Sequence, residues 1–266
     1  MAADLDFLDH LEQESARFAE AIDSAPPTAM VPSCPGWNAD DLLWHLAEVQ
    51  WFWATIVRER ITTAPGEDLT PPRPADRAGL AAFYDRASRD LADVLAATPP
   101  DTTAWTWSAD QTVGFIRRRQ AHEALIHRVD AELTAGRRTP MDADLGADGV
   151  DEALRIMYGG DLPRWGRFAP GARETLRLRA TDTGSSWYVA LGRFTGTDPD
   201  GQVSHDQPGI HAAASDPGDP AAAEIRGTAA DLDCWLWHRP PFGPVTPSGD
   251  PRVLGQFEVV IAPGIS

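Results

Sequence analysis

Glu123 and His127 stand four residues apart in the segment AHEALIHRVDAE, and His45 lies among apolar residues in DDLLWHLAEVQWFW. Four residues is one helical turn, so a carboxylate and an imidazole at that spacing share a helix face. A second imidazole from a facing helix would complete a three-ligand metal site with one position open. Catalytic zinc needs that arrangement, whereas structural zinc takes four protein ligands. His122 is excluded from the set. It precedes His127 by five residues, about 140° around a helix that turns about 100° per residue, so the HExxH geometry of zinc proteases is not met. Asp130, three residues beyond His127, can accept the proton on the ring nitrogen that faces away from a metal. Each signal has a bland alternative: a Glu-x3-His pair is commonly a solvated pair, and a lone His among apolar residues is commonly a satisfied core histidine. The expectation that His45 faces a helix-bundle centre favours the metal, because burying an imidazole unpaired costs about 1–3 kcal/mol.

Elements that would carry these residues are legible in the first half of the chain. Leu8, Leu11, Phe18 and Ile22 recur at helical spacing over residues 4–23. Asn38 can cap a second helix running to about Glu59, with Asp40 and Asp41 in its first turn and a stripe of Leu42, His45, Val49, Phe52 and Ile56. A third helix is expected over about 76–97. A fourth runs from about Gln111 to Ala135 and ends at Gly136. Four such helices imply an up-down bundle. Residues 136–149 read as a linker, and a short helix follows over about 149–158. The period then changes to two: Leu176, Leu178 and Ala180 alternate with Arg177 and Arg179, a half-buried strand. SSWYVALGRF and AAAEIRG are further strands, TAADLDCWLWHRPP is a short helix with a Thr cap, and residues 196–220 read as a long mobile loop. The closing VLGQFEVVIAPG has no clear assignment. The expected architecture is thus a four-helix bundle over 1–140 and an α+β domain with a small, mostly antiparallel sheet over 141–266.

The chain has 266 residues, 42% of them hydrophobic, which suits two domains with real cores. Its net charge of −17 argues against nucleic acid or an anionic membrane surface as partner. All 23 basic residues are arginines. Two cysteines, Cys34 and Cys234, cannot make a disulfide framework, and the N-terminal MAADLDFLDH lacks the basic and apolar regions of a secretion signal, so a cytoplasmic setting is expected.

VPSCPGW followed by NADDLLWHLAEV, then RRRQAHEALIHRVDAE, resembles the N-terminal domain of the mycothiol-dependent maleylpyruvate isomerase family of the DinB-like superfamily. DGVDEAL and EIRGTAADLDCWLWHRPP resemble that family's C-terminal domain. The resemblance implies a DinB-like bundle followed by a small α+β domain related to sterol-carrier folds. It also implies one zinc held by His45, Glu123 and His127, and mycothiol as the attacking thiol. The substrate would be a small electrophile, either isomerised or conjugated. It implies a catalytic arginine from the C-terminal domain, assigned to Arg239 with Arg226 as second choice. Arg119, one turn before Glu123, is a further candidate for gripping an acidic substrate. Nickel or iron would tolerate the same donors. Two other classes fit the residues: a metal-dependent hydrolase with Asp130 or Glu48 as base, and a non-catalytic binder of a small apolar ligand. Monomer and homodimer are both compatible with the sequence.

Overall fold

The computed structural model describes residues 5–66, 69–160, 165–198, 200–201, 203–213 and 215–265. It divides into two compact units, Asp4–Pro140 and Met141–Ser266. The N-terminal unit consists of α1 (Phe7–Ser24), α2 (Ala39–Arg58), α3 (Arg77–Ala97) and α4 (Val113–Thr134). Helix α1 packs on α4 and α2 on α3, with α2 also against α4. Short polar side chains start all four: Asp6, Asn38, Asp76 and Thr112 each accept backbone N–H groups of the first turn. At α2 the cap is reciprocal, since Asp41 also accepts the Asn38 N–H at 3.1 Å.

Phe18, Ile22, Leu42, Leu46, Leu80 and Tyr84 form much of one buried cluster of this unit. The buried face of α2 also carries Leu43, Ala47, Gln50, Trp53 and Ala54. That face is rotated from the expected stripe. Leu42 and Ile56 are buried, but His45, Val49 and Phe52 lie at its edge. His45 therefore does not face the bundle centre; its side chain is 32% exposed.

A second stabilising feature sits on α4. Arg128 is fully buried. Its Nε donates to Glu14 at 2.7 Å, its Nη1 to Glu132 at 3.1 Å, and the same Nη1 to the Thr139 carbonyl at 3.2 Å. Glu132 in turn accepts the Thr139 N–H at 2.8 Å, tying the residues after α4 back onto the helix.

The C-terminal unit begins with α5 (Ala143–Glu152), which runs on into a π-helical turn, Ala153–Met157. The interval expected as a linker is therefore partly helical, because Asp142 caps it by accepting the Asp144 and Leu145 N–H groups. Five strands follow, β1 (Gly166–Ala180), β2 (Ser186–Thr197), β3 (Ser204–Ala212), β4 (Ala223–Gly227) and β5 (Thr246–Gly249), in the order β3-β2-β1-β4-β5. Among the described residues only β1 and β4 pair in parallel. Helices α6 (Ala229–Leu236) and α7 (Pro251–Ile261) complete the unit. Leu176, Leu178, Val189, Leu191 and Ile225 of the sheet are buried with Leu154, Leu232 and Phe257 of the helices.

Two expectations are corrected here. The presumed loop at 196–220 contains β3, which pairs with β2 from Val189–Ala212 to Thr197–Ser204. The unassigned end is α7, capped by Asp250 with Pro251 in its first turn and with Val253, Phe257 and Ile261 buried on one side. Among the described residues no helix is long and apolar enough to cross a membrane.

Candidate metal centre

Helices α2 and α4 bring His45, Glu123 and His127 together, with one ligand-type atom from each lying within 4.8 Å of the others. Glu123 Oε1 is 3.3 Å from His45 Nε2 and 3.1 Å from His127 Nε2. Ligand atoms on a tetrahedral zinc sit about 3.4 Å apart, given bonds of about 2.0–2.2 Å. The two carboxylate–imidazole separations and the donor types therefore fit a divalent cation of that size. Three protein donors leave at least one position for another ligand.

Surrounding groups fix Glu123 and His127. Arg119, one turn before Glu123, donates from Nη2 to Glu123 Oε2 at 2.8 Å. It is not the surface arginine that its helical position allowed; its side chain is 4% exposed. By occupying Oε2 it leaves Oε1 for the two imidazoles. Asp130, fully buried, takes His127 Nδ1 at 3.0 Å, which directs Nε2 toward Glu123. Asp130 itself accepts from Ser33 Oγ and, at 3.6 Å, from Cys34 Sγ. His122 is buried on another face of α4, edge-on to Phe7.

The electrostatics follow from this geometry. Burial pushes the Glu123 carboxyl upward. The Arg119 charge and the His127 and His45 hydrogen bonds outweigh burial and hold it well below the ordinary carboxylate range. Burial pushes the His127 imidazole downward, but hydrogen bonds to Asp130 and Glu123, with their charges, raise it to about 9. In the metal-free protein His127 is thus a cation between two carboxylates. A divalent ion would replace the proton on Nε2 and meet the same negative field.

Trp37 lies tilted beside the triad, its ring centroid 4.7 Å from that of His45 and 6.5 Å from that of His127. It reaches there from the tight turn SCPGW, where Gly36 adopts φ 89°. A cleft of about 390 Å³ opens at His45, bounded by Gly36, Trp37, Asp41, Trp44, Glu48 and Arg73. The three side chains expected as donors come together, with Asp130 behind His127. Sequence reasoning missed Ser33 and Arg73, whose roles depend on chain folding rather than spacing, and it valued Arg119 for substrate rather than for Glu123.

In the C-terminal unit, Arg239 follows α6 and is buried, with Nη1 donating to the Trp237 carbonyl at 2.6 Å. Its backbone N–H closes the helix end on Cys234 O at 2.7 Å. Arg226 lies on β4, half exposed, with Nε 3.5 Å from Glu224.

Comparison with known proteins agrees across both units. Residues 8–132 match the family described as Mycothiol maleylpyruvate isomerase N-terminal domain, and residues 144–256 match the MDMPI C-terminal domain. Two solved structures resemble the chain over 92% of its length and 93% of theirs, each with a TM-score of 0.56. One is a crystal structure of the mycothiol-dependent maleylpyruvate isomerase, 15% identical; the other is of a histidine-to-alanine mutant of that name, 13% identical. At such identity the likeness concerns the fold. No curated protein sequence matches the chain.

Proposed function

Because the chain belongs to the mycothiol-dependent maleylpyruvate isomerase family, we propose that it is a metal-dependent enzyme using mycothiol as nucleophile on a small electrophile. The metal is zinc, held by His45, Glu123 and His127. The observation that carries this reading is the shared oxygen: Glu123 Oε1 lies 3.3 Å and 3.1 Å from two imidazole nitrogens, while Arg119 engages Oε2. When bound, zinc supplies the charge that keeps a thiol ionised at neutral pH.

The protein's own residues do the positioning. Asp130 fixes the His127 ring, and Arg119 fixes the Glu123 carboxylate, so both donors meet the ion without reorganising. For isomerisation, the thiolate sulfur adds to one carbon of a cis double bond conjugated to a carbonyl. The π electrons move to the carbonyl oxygen as an enolate. The former double bond is then free to rotate, and return of the electrons expels the thiolate and restores the double bond in the trans form. For conjugation, the enolate is protonated and the carbon–sulfur bond stays. Arg239 is assigned to the enolate or a substrate carboxylate, where a bidentate guanidinium gives the strongest hydrogen bonding. Both cysteines are thiols, in keeping with a cytoplasmic protein, acting as a monomer or homodimer.

The test is titration of the zinc-loaded protein with mycothiol and smaller thiols, followed by thiolate absorbance, together with metal analysis of His45→Ala. We expect thiolate formation in the parent, loss of zinc in the variant, and maleylpyruvate turnover only with thiol present. Zinc retained in His45→Ala, or thiol-independent ester cleavage, would overturn the reading, the latter in favour of a hydrolase.

A further inference from the structure

The cleft at His45 has a lining that the metal chemistry does not use. Its volume, about 390 Å³, lies in the range of small-molecule sites. Two half-exposed indoles, Trp37 and Trp44, form part of the wall, and Asp41, Glu48 and Arg73 supply charge. Glu48 follows His45 by one turn of α2. It makes no hydrogen bond or ion pair with another described residue. Arg73 sits between Pro72 and Pro74, which restrict its backbone. Asp41, already serving the α2 cap, holds the Arg73 Nη2 at 2.8 Å.

This lining discriminates among ligands. An acidic group is disfavoured, because two carboxylates face one guanidinium that is already paired. A wholly apolar ligand would cover Asp41, Glu48 and Arg73 without replacing their water, which costs free energy for each. A hydroxylated ring satisfies both parts. Its C–H face lies on an indole, and its hydroxyls donate to carboxylates and accept from the guanidinium in charge-assisted hydrogen bonds.

We propose that the cleft of Trp37, Trp44, Glu48 and Arg73 is the subsite for the polyhydroxylated body of the thiol, a sugar or cyclitol ring held while its sulfur reaches the triad. The proposal rests on the reading of the triad as a thiol-binding metal centre. Trp37 links the two, with its ring 4.7 Å from that of His45.

The test separates body from sulfur by calorimetry. Zinc-loaded protein is titrated with mycothiol, whose cysteine is carried on a glucosamine–inositol body, and with N-acetylcysteine, which lacks that body. Metal-free protein is titrated with the thiol-free glucosaminyl inositol. In the parent, mycothiol should bind at least about tenfold more tightly than N-acetylcysteine, the scale of one or two charge-assisted hydrogen bonds. The double variant Glu48→Gln, Arg73→Gln should lose that advantage while N-acetylcysteine binds as before, and thiol-free body should bind the parent only. Equal weakening of both thiols, or an advantage that survives in the variant, overturns the subsite. If neither thiol binds the zinc-loaded parent, the metal-centre reading fails by itself. The thiol-free arm then decides the subsite: binding to the parent and not to the variant supports it, and binding to neither overturns it.

Discussion

At the scale of single residues, the candidate centre is a charge-balanced knot whose state before metal binding has a measurable signature. Glu123 is ionised because Arg119, His127 and His45 face it. Its ionisation contributes no proton when a cation enters. His127 does contribute one, because its imidazole is raised to about 9 and its Nδ1 proton remains with Asp130. Zinc binding at pH 7.5 should therefore release close to one proton from Nε2, read as a dependence of the calorimetric heat on the ionisation enthalpy of the buffer. Affinity should rise with pH until about 9 and level off above it. The same shift predicts the opposite trend for the metal-free protein. A raised histidine pKa adds stability that is fully present below the unfolded value of about 6.5. That contribution fades as pH rises through about 9. Denaturant midpoints of metal-free protein should fall across this window, and those of a His127→Gln variant should not. Buffer-independent heats would show that His127 meets the metal already neutral, against its raised pKa.

The elements explain both what was legible in the sequence and what was not. Helix α4 was readable because Gly136 and the Glu123–His127 spacing are local signals. Strands β1 and β2 were readable because burial on one face imposes alternation, as at Leu176, Leu178 and Ala180. Strand β3 was not, for it is an edge strand. Only Ile210 and Ala212 of it are buried, and its pairing with β2 relies on backbone groups that carry no side-chain pattern. Pro208 within it is compatible with an edge position and reads as a breaker in sequence. Helix α7 was obscured by Gly255 and by the β-branched run Val259–Ile261, yet its Asp250 cap and Pro251 are helix-start signals. The Glu123–His127 pair was legible from its spacing and His45 from its place among apolar residues, whereas the rotation of α2 that puts His45 at the edge was not. Its face is chosen by Leu43, Leu46 and Ala47 packing inward, and an apolar helix with four tryptophans nearby allows several faces. Arg128 tests how strongly α4 is anchored. Replacing it by Met would leave Glu132 buried without a cation and Glu14 with Arg17 alone, at a cost of about 3–5 kcal/mol. Adding Glu14→Leu and Glu132→Leu should recover much of that loss in chemical denaturation. Arg128→Met with an unchanged midpoint would show that the buried network contributes nothing to holding α4.

For the whole molecule, the two units divide the chemistry unevenly. Every donor of the candidate centre, and the cleft beside it, belongs to Asp4–Pro140, while the arginine assigned to substrate belongs to Met141–Ser266. Metal binding and thiol ionisation should then be separable from turnover. Arg239 is buried in the C-terminal unit, and its Nη1 bonds to the Trp237 carbonyl. Arg239→Gln should retain zinc stoichiometry and mycothiol affinity while kcat falls about 10²-fold or more, the scale of losing one donor to a developing oxyanion. Arg226→Gln, on a half-exposed strand position, should turn over like the parent. The assignment distinguishes itself from a folding effect through KM. If Arg239 acts only on the charge formed during reaction, kcat and kcat/KM drop together and KM for the electrophile is unchanged; if it grips a ground-state carboxylate, KM rises as well. A variant that loses zinc or thiol affinity along with turnover would instead make Arg239 a structural residue of its own unit, and the substrate arginine would have to be sought elsewhere.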